Sequence, residues 1–252
     1  MIPLTIFAAS EDDFVGIKYY ITITSTTWQL RDNGGVNYTV DWGDGNTQTS
    51  TTNNLSHTYP SAGSYVVTVI PTGTYNPHWN NNSYGDNITS CEISTDTTWN
   101  LSTDMFGAFR GSNNMTTLTI NESATANVTK FHYAWHYCTS LVSIPLLDLS
   151  SGTGFFCYSA WKWCHSLTTF PPNMFDSIGS INNIGLVDAW KDCALTAQSI
   201  ENILTSLDTN GKSNRVTNVD GGTNAAKSTW TTAANTAYTN LINKGWTISH
   251  NP

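Results

Sequence analysis

Apolar and polar side chains alternate in short runs between residues 18 and 70. Ile21 and Ile23 share one face, with Tyr20, Thr22 and Thr24 on the other; Val36, Tyr38, Val40 and Trp42 alternate with Asn37, Thr39 and Asp41; Tyr65, Val67 and Val69 repeat the scheme. A period of two predicts half-buried strands. Turn-forming stretches rich in Gly, Asn, Asp and Pro at 32–35, 43–46 and 60–63 separate the runs, so the pattern predicts a small antiparallel β-sandwich over residues 1–72.

From residue 88 the period lengthens. Four segments align on an alanine, at Ala108, Ala134, Ala160 and Ala189, giving steps of 26, 26 and 29. With each alanine as position 0, recurring residues fall at −3, 0, +1 and +4, as on one face of a short helix. Met115, Leu141 and Leu167 follow at +7, and Leu118, Ile144 and Phe170 three further on, as a short strand would supply. A helical turn or two plus a strand cannot bury its own apolar face and must stack on its neighbours, which predicts a solenoid over 88–195. Residues 88–99 are expected to supply its first strand.

Beyond residue 196 the units lengthen. Ile200, Ile203, Leu204 and Leu207 predict a helix that ends before Gly211; 215–219 reads as a strand; Trp230, Ala234, Ala237, Tyr238, Leu241 and Ile242 predict a second helix within 225–244, followed by a strand at 246–248. The fold expected is therefore two-module, a β-sandwich followed by an α/β solenoid with a helical C-terminal cap over 196–252. The sandwich and the cap are expected to cover the two ends of the stack.

Three stretches carry a resemblance. Val40-Asp41-Trp42-Gly43-Asp44-Gly45, then His57-Thr58-Tyr59, then the run from Gly63 to Val69 resemble the polycystic kidney disease (PKD) type of immunoglobulin-like domain, which implies a spacer or adhesion module. Cys138-Thr139-Ser140-Leu141 and Cys164-His165-Ser166-Leu167, each after an Ala-Trp pair, resemble the bacterial surface (BspA-like) class of leucine-rich repeat, which implies recognition rather than catalysis. The close from Asn240 to Ile248 looks like the ends of leucine-rich-repeat proteins of tailed bacteriophages, which implies a virion component.

Composition narrows the picture. Charged residues make up 11% of the 252, against a usual share of about 25%, so neutral hydroxyls and amides solvate the surface. The net charge of −8 with ten Lys and Arg argues against nucleic acid, which needs clustered cations. No apolar run reaches the length of a membrane span. Residues 1–13 lack the basic region of a secretory signal. Five cysteines form neither a CxxC pair nor a zinc spacing.

The candidate chemistry is sparse. Cys138, Cys164 and Cys193 share one repeat position and are expected to be buried, where cysteine acts as a small hydrophobe. His132 and His136 have the i, i+4 spacing of a metal pair, but off the apolar face and without the glutamate of HExxH; solvent-exposed histidines are expected. Asp41 and Asp44 read as calcium ligands or as acceptors for their own turn, the second being favoured. No catalytic, cofactor or metal residue is assigned and no enzyme is expected. The candidate contact residues are Tyr75, His78, Trp79 and Tyr84, aromatics in a polar linker loop over 73–87, with Trp79 packing on the first repeat as the plainer alternative. Eight N-x-S/T sequons between Asn37 and Asn127 reflect composition. The function expected is a non-enzymatic virion surface protein of a tailed phage, a fibre, tail or head-decoration component. Its expected partners are other virion or filament proteins, itself, and a host surface glycan or protein. A cellular surface adhesin or extracellular filament subunit is the alternative.

Overall fold

The computed structural model describes residues 14–32, 37–50, 54–79, 83, 85–96, 99–150 and 154–252. The three alternating runs form β1 (Gly16–Ile23), β3 (Tyr38–Asp41) and β6 (Gly63–Pro71), and three short strands that no run had marked, β2 (Thr27–Gln29), β4 (Thr47–Ser50) and β5 (Ser56–Thr58), lie between them. β1 pairs antiparallel with β6, β6 with β3, and β3 with β4. The β2–β5 ribbon lays Trp28 against Trp42 at 6.4 Å, edge to face. Ile17, Tyr19, Ile21, Val40, Val67 and Val69 are all buried, as their alternation requires. Val36 and the turn residues at 33–35 lie outside the described residues.

The segment expected as a linker does not run free. β7 (Thr74–Tyr75) pairs parallel with β9 (Asn100–Leu101), and the Trp79 amide donates to Ala108 O at 3.0 Å. β8 (Ile88–Ser94) pairs antiparallel with β1 on one side and parallel with β10 (Thr117–Ile120) on the other. One six-stranded sheet, ordered β10-β8-β1-β6-β3-β4, thus extends from the sandwich into the first repeat.

The repeats stack, but not through helices. Among the described residues α-helix is confined to α1 (Ala197–Asn210) and α2 (Thr232–Asn243). Each repeat is instead a run of overlapping tight turns with alternate amides committed in two directions. Amides at 0 donate to the carbonyl at −3 of their own turn: Ala108 to Met105, Ala134 to Phe131, Ala160 to Cys157, Ala189 to Leu186. Amides at +1 donate across to position 0 of the next coil: Phe109 to Ala134, Trp135 to Ala160, Trp161 to Ala189. An α-helix would need every one of these amides for its own i−4 carbonyl. The −3, 0, +1, +4 spacing therefore arises from turns that put the same side chains inward. The strand expected after each turn is a true strand only at β10; later coils are joined there by the single bridge Ser143↔Thr169.

Inside the stack, Trp135, Trp161 and Trp190 lie nearly parallel, with ring centroids 5.5 Å and 5.6 Å apart. The +4 cysteines are buried as expected and also bond: Cys138 donates to Phe109 O, Cys164 to Trp135 O and Cys193 to Trp161 O, each at 3.0 Å. In the following coil the Asn224 side-chain amide meets the corresponding Trp190 carbonyl at 2.9 Å.

The tail continues the stack. Thr196 caps α1 by accepting from the Ser199 amide, and Gly211 closes it with a left-handed φ of 76°, a conformation that glycine adopts without a Cβ penalty. β11 (Val216–Val219) and β12 (Thr247–His250) pair parallel, and Leu186 bridges Thr217. α2 starts at Thr232 rather than 225, because Thr231 caps it and Trp230 precedes the cap. Ile242, expected on its inner face, is 40% exposed.

The Ala160 site has no room for a larger side chain, being fully enclosed between coils. Ala160→Leu is expected to cost about 1–3 kcal/mol through overpacking, and Trp161→Ala about 3–5 kcal/mol through the cavity it leaves. Equilibrium urea unfolding measures both, and unchanged midpoints would contradict the stacked arrangement.

Candidate contact surface

The turns hold one further regularity. Positions −1 and +3 adopt a left-handed backbone in every repeat: Gly107 and Gly111, then Tyr133 (φ 58°) and Tyr137 (φ 67°), then Ser159 (49°) and Trp163 (65°), then Asp188 (55°) and Asp192 (60°). These angles reverse the chain within the turn and let alternate amides point at the next coil. Glycine satisfies them freely and Asp tolerates them, whereas a bulky L-residue is strained there by about 1–2 kcal/mol. Two tyrosines and a tryptophan occupy them in the middle coils.

Those strained aromatics belong to one outward band. Phe106 lies 4.7 Å from His132 and 5.9 Å from Tyr133; His132 lies 5.4 Å from Phe156; Tyr133 lies 5.4 Å from Tyr158. His136 sits among Tyr133 (5.2 Å), Tyr137 (5.4 Å) and Trp163 (5.0 Å). The Arg110 guanidinium lies 5.1 Å from the Tyr133 ring centre and the Lys162 ammonium 4.9 Å from that of Trp163, within cation–π range. Lys162 also pairs with Asp188 at 2.7 Å. Tyr137 is the most open of the rings, at 42% exposed.

The histidines depart from the exposed sites expected of them. His136 is 4% exposed and His132 half-buried. Burial, then the charges of Arg110 and Lys162, push His136 down to about 4, so it is neutral at physiological pH. Its Nδ1 has no hydrogen-bond partner among the described residues. Burial also lowers His132, with Asp104 opposing and Lys130 reinforcing the shift.

The four contact residues read from the sequence fare differently. Tyr75 is fully buried, 5.7 Å from Tyr38. Trp79 is 1% exposed and packs on Trp28 at 5.3 Å and Tyr19 at 5.4 Å. Both side chains fill the core, as the packing alternative held for Trp79, because the chain from 74 to 79 is the first coil of the stack. His78 is half-buried, with Nδ1 3.1 Å from Phe106 O, at the end of the aromatic band. Tyr84 lies outside the described residues. The rings that sequence reasoning missed, chiefly Tyr133, Tyr137, Tyr158 and Trp163, were marked in the register. Tyr133, Tyr137, Tyr158 and Trp163 sit at positions −2, −1 and +3, off the apolar set at −3, 0, +1 and +4.

In the sandwich, Asp41 and Asp44 serve their own turn. Asp41 Oδ1 accepts from the Gly43 amide at 2.9 Å, and Asp44 Oδ1 from the Asn46 amide at 3.1 Å. Gly43, at φ +77°, has no space for a Cβ, which would sit 2.5 Å from Val66 O. Asp44 Oδ2 meets His57 Nε2 at 2.8 Å, and the His57 ring stacks on Trp42 at 4.8 Å. Burial works to raise the Asp44 carboxyl, but the hydrogen bonds from His57 and Asn46 prevail and hold it below its usual value. Elsewhere burial raises the Cys138, Cys164 and Cys193 thiols, which leaves them protonated and unreactive. No group of three or more His, Cys, Asp or Glu able to hold a metal occurs among the described residues.

A family model described as the PKD domain matches residues 7–84, which supports the N-terminal PKD/Ig-like module. No curated protein and no solved structure matches the chain.

Two expectations follow from this geometry. A carboxylate held low by folded-state contacts stabilises above its unfolded pKa, and the contribution is lost as pH falls through the folded value. The sandwich should therefore lose stability below about pH 4, and Asp44→Asn should be less stable at neutral pH with a flatter acid limb in thermal melts. At Trp163, glycine relieves the left-handed backbone while alanine does not. Trp163→Gly should exceed Trp163→Ala in stability by about 1 kcal/mol in urea unfolding, the reverse of the order at an ordinary site.

Proposed function

We propose that the chain is a non-enzymatic contact and presentation module: a PKD-type sandwich continued by a leucine-rich-repeat solenoid of the BspA-like class, carried on the surface of a tailed-phage virion as a fibre, tail or head-decoration component. The observation that carries the contact reading is the aromatic band. The stack commits its backbone amides, thiols and inward side chains to its own cohesion, yet holds aromatic rings on strained backbone at the outer face of two successive coils. Strain of this kind concentrates at functional surfaces. The PKD match over residues 7–84 supports a spacer or adhesion role, and the resemblance of residues 240–248 to phage repeat proteins supports the virion placement.

Placement is tested by density-gradient purification of particles followed by immunogold labelling with an antibody to this chain. The proposal expects the chain to co-sediment with intact particles and to be labelled on their surface. Recovery solely from the soluble lysate overturns it, and recovery from the cell envelope replaces it with the adhesin reading.

A further inference from the structure

We propose that the cluster formed by Tyr133, His136, Tyr137 and Trp163, flanked by Arg110 and Lys162, binds a neutral pyranose glycan. This rests on the contact reading above and names the ligand class. The rings touch one another at 4.8–5.4 Å, so nothing inserts between them and a ligand must lie across them, offering a flat apolar face. Polar groups sit within the same patch. The Arg110 guanidinium lies 5.1 Å from the Tyr133 ring centre, while His136, 4% exposed, packs beneath the rings and holds them in place. The Lys162–Asp188 pair adds a donor and an acceptor side by side.

A pyranose presents this combination, an apolar C–H face and a rim of hydroxyls, each both donor and acceptor. A helical peptide would require an unbroken apolar stripe, which the polar residues in each coil interrupt. A polyanion is disfavoured by the carboxylate of Asp188 beside Lys162 and by the net charge of −8. The αL backbone supplies an independent argument. In the first repeat glycines occupy positions −1 and +3, and in the fourth aspartates, so stacking alone does not require aromatic rings there.

The test is affinity electrophoresis of the full chain through gels containing laminarin, mannan, galactomannan, xylan or dextran, with alginate and heparin as acidic comparators and oligo(dT) in a gel-shift assay. At least one neutral polysaccharide should retard the protein without sensitivity to added salt. The Tyr137→Gly, Trp163→Gly double variant, chosen because glycine suits both backbone angles, should lose that retention by roughly tenfold or more while its urea midpoint shows the fold intact. If it fails to fold, Tyr137→Ser alone, at the most exposed ring, is read in the same gels. Retardation by none of the neutral polysaccharides overturns the inference, as does retention by heparin or oligo(dT) alone that salt abolishes, or neutral retention that the variants leave unchanged. A chain labelled on particles but retarded by no neutral glycan loses the ligand class and keeps the placement; a chain that binds glycan but is absent from particles does the reverse.

Discussion

The structure depends on how each turn divides its amides. An amide used within its own turn closes a four-residue reversal; the next one, used across to the following coil, ties that reversal to its neighbour. Neither set suffices alone. A turn without the cross-bonds is a solvated reversal with no core, and cross-bonds without the turns would be a flat ribbon with its side chains alternating between two faces. Their alternation demands a left-handed residue at every fourth position, and it places positions 0, +1 and +4 inward together. Alanine at 0, an aromatic at +1 and a small thiol at +4 are what that interior accepts.

The thiols show how closely the interior is specified. A carbonyl at +1 already accepts from the +4 amide of its own turn, as Trp135 O does from Cys138 at 3.0 Å, and has a second lone pair facing the next coil. Cysteine fills that position with a donor and little volume, at a site too apolar for a charged group and too small for most polar ones. Where the coil length changes, after residue 193, Asn224 reaches the same kind of acceptor from a different backbone position. From the second repeat onward the acceptor persists while the donor changes from thiol to amide, so the hydrogen bond outlasts the residue type; in the first repeat Ser112 Oγ, at the same position, has no such partner among the described residues.

The strands of the sandwich were legible because alternation has a single structural meaning when one face is buried. The repeats were legible as a period, but their local structure was not, since a helical face and a run of tight turns give the same inward spacing. Only the cross-coil bonds, which a single sequence does not display, separate the two. Trp79 stayed open between contact and packing for a related reason. Its neighbourhood has the composition of a loop, yet its amide makes the same bond to Ala108 O that Trp135 makes to Ala160 O, and its ring touches Trp28 and Tyr19. A first coil lacking the Ala-Trp-x-x-Cys phrase carries no sequence mark of its register. The rings of the candidate contact surface sit off the inward set of the register, but which of those positions open to solvent cannot be told until the turn geometry is known.

That geometry also limits where aromatic residues can have accumulated. The left-handed sites at −1 and +3 occur in all four repeats, and their occupants in the outer two are glycine or aspartate, the residue types that meet the angle at least cost. If the rings served only to shield the core, the first repeat, towards the sandwich, and the fourth, next to the cap, would need them as much as the middle two. Their concentration in the middle, around the buried His136, is accounted for by the proposed contact surface and not by core shielding. The fold tolerates the cost because the cross-coil bonds fix the backbone angle regardless of which side chain occupies the position.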